Sequence, residues 1–116
     1  MNRALAVSVI EASLKRGSST PCTWAADRDT YISERSTELL GAVINPISVA
    51  VTGEAFHYGV KERFENRRVY AIAQAETKWL LYVPELEVFS LAFGETPTQL
   101  SILGFATDDA LAEWLG

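Results

Sequence analysis

Apolar positions crowd most densely over 67–105, RRVYAIAQAETKWLLYVPELEVFSLAFGETPTQLSILGF, where turn-forming residues interrupt them at short intervals. Runs at 69–75, 79–83 and 88–93 are bounded by Glu76-Thr77-Lys78, by Pro84-Glu85 and by the stretch from Gly94 to Pro97, which predicts three strands in a β-meander and a last short strand at 100–104. Successive strand side chains point to opposite faces. The first strand then sets Val69, Ala71, Ala73 and Ala75 against Tyr70, Ile72 and Gln74, and the second sets Trp79, Leu81 and Val83 against Leu80 and Tyr82. The third sets Phe89, Leu91 and Phe93 against Val88, Ser90 and Ala92. An antiparallel sheet with one wet face alternates apolar and polar. These strands do not, so both faces need cover, from the ends of the chain or from a second copy. The alanine row is expected to let a helix approach closely.

The flanks read as that cover. Over 2–16, Leu5, Val9 and Ala12 lie beside a second row of Val7, Ile10 and Leu14, a helical stripe broad enough for more than one neighbour, with a favourable Glu11–Lys15 pair and Gly17 as its stop. Ile32, Leu39, Leu40 and Val43 predict a second helix over 31–43, capped by Asp29 or Thr30 and ended by Asn45-Pro46. A half-buried strand follows at 47–52, with Ile47, Val49 and Val51 inward. Over 54–65, Phe56, Tyr58 and Val60 alternate as a strand does, while Phe56, Val60 and Phe64 recur as on a helix. The strand reading is preferred up to Lys61, and Asn66 turns the chain. A closing helix over 108–115 has Leu111, Trp114 and Leu115 on one side and Thr107, Asp108 and Asp109 at its start. It is expected to lock onto the sheet around Leu81 and Phe89. The fold class is therefore α+β, a single domain over 1–116 with one antiparallel sheet of five to six strands, covered by these three helices.

Composition agrees with one globular unit: 116 residues, 48% hydrophobic and 22% charged. A formal net charge of −5 repels polyanions, so no nucleic-acid partner is expected. The basic run Lys61, Arg63, Arg67, Arg68 is interrupted by Glu62 and Glu65 and reads as a solvated face. Cys22 is the only cysteine, which excludes an intrachain disulfide and a cysteine-built zinc site and fits a reducing compartment. With no basic neighbour or resolving thiol, it is expected to be unreactive. Glu11 and Lys15 break the apolar amino-terminal run before it resembles a signal peptide, and nothing approaches the ~18 apolar residues of a membrane span. A cytoplasmic protein without a membrane partner is expected.

Little here carries chemistry. His57 is the only side chain that ordinarily titrates near neutrality, and it lies between Phe56 and Tyr58. Cys22, His57 and Asp27 or Asp29 make a thiol triad on paper, with no motif around the cysteine. Asp27 and Asp29 lack the further ligands of a calcium loop, Asp108 and Asp109 are explained by capping, and Glu85 and Glu87 straddle a turn. No phosphate-binding glycine loop is present. No catalytic residue, metal or cofactor is assigned, and an enzyme is the less favoured class. Trp24 reads as a plug over the core or as a ligand platform. The binding candidates are His57, Tyr58, Tyr70, Trp79 and Trp24.

The hairpin LLYVPELEVFSLAFG, the short strand after it and the closing Asp/Leu/Trp helix are similar in layout to the end of SUKH-superfamily immunity and regulatory domains. That resemblance covers the second half alone; it implies an immunity or regulatory role and assigns no site residue. The leading expectation from the residues themselves is a small acidic binding or assembly module. It acts through a sheet face or groove, on another protein or as a homodimer. The rival is a small-ligand or enzymatic domain with a pocket around His57, Tyr58 and Trp79. A deep concavity converging on His57 favours the rival, and a flat apolar patch favours the module.

Overall fold

The computed structural model describes residues 1–20 and 27–116. Its elements, in chain order, are α1 Arg3–Lys15, α2 Arg28–Gly41, β1 Val43–Ser48, β2 Val51–Glu54, α3 Val60–Phe64, β3 Tyr70–Ala75, β4 Lys78–Val83, β5 Val88–Phe93, β6 Leu100–Ile102 and α4 Ala110–Leu115. The α+β class and the meander are as the sequence predicts, with β3 to β6 pairing antiparallel in succession.

The strand order is β1-β3-β4-β5-β6-β2, with β2 parallel to β6. Four antiparallel steps lead from β1 to β6, so β1, β6 and β2 all run the same way. Only Val49 and Ala50 separate β1 from β2, and the Val49 N–H still donates to the Val69 carbonyl at 2.9 Å. Residues 43–54 are therefore one bent stretch that pairs first with β3 and then with β6. Three Cα steps of about 3.8 Å hold Ser48 and Val51 within about 11 Å of each other. The sheet stays open but curls, and at this bend its two margins are brought near each other without pairing.

Curling makes two cores. The inner one gathers Ala71, Trp79, Leu81, Ala92 and Ile102, with Val60 and Phe64 of α3 closing it and Ile44 and Val51 joining from the two margins. The outer one packs Ile72, Leu80 and Phe89 under Ile10 of α1, Leu39 of α2 and Trp114 of α4. Both faces of β4 and β5 are thus covered by this chain, and the two-sided pattern calls for no second copy to cover them.

Several local expectations are corrected. The alanine row does not exist as one face. The β3–β4 register slips between Ala71, opposite Leu81, and Ala73, opposite Leu80. A one-residue slip reverses the faces, so Ala71 lies in the inner core and Ala73 in the outer. The second helix starts earlier than 31, because Asp27, rather than Asp29 or Thr30, is its cap and accepts from the N–H groups of Asp29 and Thr30. Asn45-Pro46 lies inside β1 instead of ending a helix. A proline has no N–H to give a ladder, and it is tolerated there because β1 is a margin strand with an irregular register between Val43 and Ile47. The strand expected over 47–52 is split at Val49 and Ala50, and Ile47 is 38% exposed rather than inward. Over 54–65 the helical period prevails: Val60 and Phe64 are buried in α3, whereas Phe56 is exposed. Asn66 does turn the chain, at φ 61°.

The closing helix is docked as expected, with Leu111 and Trp114 buried. It shares the outer core with Leu80 and Phe89, while Leu81 faces the inner one. Among the described residues, no helix is long and apolar enough to cross a membrane.

Candidate functional site: an exposed aromatic cluster

After β2 the ladder continues for two residues, the Ala55 and Phe56 N–H groups donating to the carbonyls of Ile102 and Leu103 at 2.9 and 3.1 Å. His57 then takes a left-handed conformation at φ 55°, and Gly59 at φ 83° starts α3. The Glu54 carboxylate reaches across this loop and accepts from the Val60 N–H at 3.0 Å and the Lys61 N–H at 3.5 Å. It fastens the loop to the first turn of α3, where the helix end favours a negative charge. The rings of Phe56 and Tyr58 are stacked at 6.0 Å and 25°.

Phe105 arrives from the far side of β6. Gly104 before it sits at φ 122°, and a Cβ there would stand 3.0 Å from Tyr58 Cδ2 and 3.1 Å from Glu54 Oε1. Glycine is what lets the two segments close. The Phe105 carbonyl accepts from Ser90 Oγ at 2.7 Å, which holds the backbone while the ring leans outward. Its centroid is 5.3 Å from that of Tyr58 and 6.2 Å from that of Phe56. The three rings form one contiguous patch although Phe56, Tyr58 and Phe105 are 54%, 63% and 50% exposed. An aromatic ring gains more from burial than almost any other side chain. Three rings held together half in water by a braced loop make an apolar surface of the kind that binds.

Tyr58 is thus part of this cluster, and His57 lies in the loop between Phe56 and Tyr58. Trp79 does not join them: its ring is 3% exposed within the inner core, and its indole N–H donates to the Gly94 carbonyl at 2.9 Å. Tyr70 lies elsewhere, half-buried in a groove along α1. Trp24 and Cys22 lie outside the described residues. Sequence reasoning did not place Phe56, read within a strand alternation or a helical repeat, or Phe105, read as the end of the meander, in this cluster. Their signal was proximity to the turn glycines Gly59 and Gly104.

The carboxylate pairs are accounted for locally. Asp27 accepts from the Asp29 and Thr30 N–H groups and from Thr30 Oγ1, the hydroxyl bond being the main reason its carboxyl is held below the usual range. Asp109 accepts from the Ser19 and Ala112 N–H groups and from the Ser18 and Ser19 hydroxyls. Burial raises its pKa, but those bonds outweigh it and leave the carboxyl below its ordinary value.

Two concavities beside α1 lie away from His57. One concavity of about 640 Å³ is lined by Val9, Ala12, Arg16, Tyr82, Glu87 and Asp108 among others, and one of about 450 Å³ by Leu5, Val9, Arg68, Tyr70, Tyr82 and Pro84 among others. They share Val9 and Tyr82 and so form one trough beside α1. No family model, curated protein or solved structure matches the chain.

Proposed function

We propose that this protein is a non-catalytic binding module that docks, through Phe56, Tyr58 and Phe105, an apolar segment of another protein. The observation that supports this reading is the contiguity and exposure of the three rings. The rings lie against each other as a contiguous patch, and His57 lines neither concavity beside α1, which favours a docking surface over a small-ligand pocket. Aromatic side chains of this kind anchor protein interfaces. The net charge of −5 disfavours a nucleic acid stacking on the same rings and favours a partner segment with basic flanks. A cytoplasmic setting belongs to the same proposal and is supported by the single cysteine.

The test replaces Tyr58 in the full chain with a photoreactive benzoylphenylalanine, and Glu62 likewise as a control. A specific adduct at position 58, whose identified partner binds at least about tenfold more weakly to Tyr58→Ser and Phe105→Ser, is expected. Equal labelling at both positions, or an affinity indifferent to both substitutions while the fold is intact, would overturn the reading.

A further inference from the structure

The stripe on α1 is wider than the core needs. Ala6, Ile10 and Ser13 are its buried face, whereas Leu5, Val9 and Ala12, at i, i+4 and i+7, turn towards the trough and leave Leu5 50% exposed. Opposite them the trough is walled by Tyr70, Tyr82 and Val88. Its two ends carry opposite charge. At the Leu5 end, Glu85 is engaged by Arg67 Nη1 at 3.3 Å and by the Arg68 N–H at 3.4 Å, and the Arg68 guanidinium has no ion-pair partner among the described residues. At the Ala12 end, Arg16 donates to the Asp108 carbonyl at 2.9 Å with its Nε 3.8 Å from the Asp108 carboxylate. The Glu87 carboxylate beside them has no ion-pair partner among the described residues. One end is left with a spare positive charge and the other with a spare negative one.

We propose that this trough is the interface between two copies of the chain, packed with their α1 helices antiparallel about a twofold axis. In a twofold interface the same patch meets itself, residue i contacting j and j contacting i. A surface with an apolar middle and ends of opposite sign is complementary to its own reversed copy: Leu5, Val9 and Ala12 meet the same stripe, and each Arg68 faces the partner's Glu87. A foreign partner would have to supply this antisymmetry; a second copy has it by construction. α1 is about 20 Å long at 1.5 Å per residue. The aromatic cluster lies outside the trough, so this proposal stands or falls independently of the proposed function.

Sedimentation equilibrium on the full chain over a low-micromolar to millimolar series, with circular dichroism to check folding, tests it. The wild type is expected above the 12.8 kDa monomer mass. Arg68→Glu and Glu87→Arg, both at exposed positions, should each weaken association by about tenfold or more, because each sets like charges together at both ends. The double variant R68E/E87R restores both pairs with reversed sign and should return to within about threefold of wild type. Tyr58→Ser should leave association unchanged. A wild type that stays monomeric, single reversals without effect, or a double variant no better than the singles would each overturn the proposal.

Discussion

The ammonium of Lys78 stands 3.9 Å from the centroid of the Trp114 ring. Lys78 opens β4 and Trp114 lies in α4, so this contact ties that helix to the middle of the sheet. The ring is 4% exposed and belongs to the outer core. Burial lowers the Lys78 pKa, partly countered by the attraction of Glu38.

A six-residue helix is unstable alone in water, so α4 depends on this docking. Trp114→Ala is expected to cost about 3–5 kcal/mol. Lys78→Met, which keeps an apolar stem and removes the charge, should cost about 1 kcal/mol. Urea unfolding followed by circular dichroism measures both. A Trp114→Ala loss below that of Lys78→Met would show that the helix does not lock the fold.

Ser13 joins the two ends of the chain. Its Oγ donates to the Asp108 carbonyl at 2.8 Å and accepts from the Ala110 N–H at 2.9 Å, while the residue is only 2% exposed. Ser13→Ala leaves the buried Ala110 N–H without its partner, while the Asp108 carbonyl keeps the bond from Arg16, and should cost about 1–3 kcal/mol. A neutral outcome in thermal unfolding would mean that water replaces the hydroxyl.

Glu113 gives the fold a pH dependence. Burial, and to a lesser degree the nearby Asp109 charge, raise its pKa to about 7 against a weak bond from Thr107 Oγ1 at 3.4 Å. A raised carboxyl means that the folded state holds the proton more tightly than the unfolded one. The stabilisation is complete below the ordinary value of 4.5 and is lost as pH rises through about 7. Glu113→Gln should therefore raise stability by about 1–2 kcal/mol above pH 7, a figure reduced for the partial access of water, with the gain fading towards pH 4.5. Melting temperatures of both proteins across that range would show curves that converge in acid. Curves that converge in alkali instead would refute the assignment.

Gly104→Ala tests the brace under the aromatic cluster. The left-handed backbone and the approach to Tyr58 and Glu54 both resist a methyl group. A loss of about 1–3 kcal/mol is expected. Tyrosine fluorescence should report a shift at Tyr58 larger than that produced by an alanine at Gly41, which has open space around it.

The meander is legible in the sequence because each of its strands is bounded by residues that act locally. Pro84 and Gly94 punctuate the chain whatever the rest of it does. The path through Asn45-Pro46 is not legible, because the same proline can end a helix or sit in a margin strand. Which applies depends on β3 lying on only one side of β1, a fact of topology. The slip between Ala71 and Ala73 is hidden for a related reason: an extra residue in one strand is defined only by its partner. At the candidate site, His57 and Tyr58 stand out as polar aromatics near a turn. Phe105 does not, since its contact with them exists only once β6 has been laid beside β2.

The bent stretch at 43–54 also governs how the protein comes apart. Because one continuous segment holds β3 at one margin and β6 at the other, neither margin can fray without loosening the other through Val49 and Ala50. Margins of an ordinary sheet open separately and at different free energies. Here the amides bonded across β1–β3 and β2–β6 should exchange with solvent hydrogen at a common rate, as one cooperative unit, though the two ladders occupy opposite ends of the strand order.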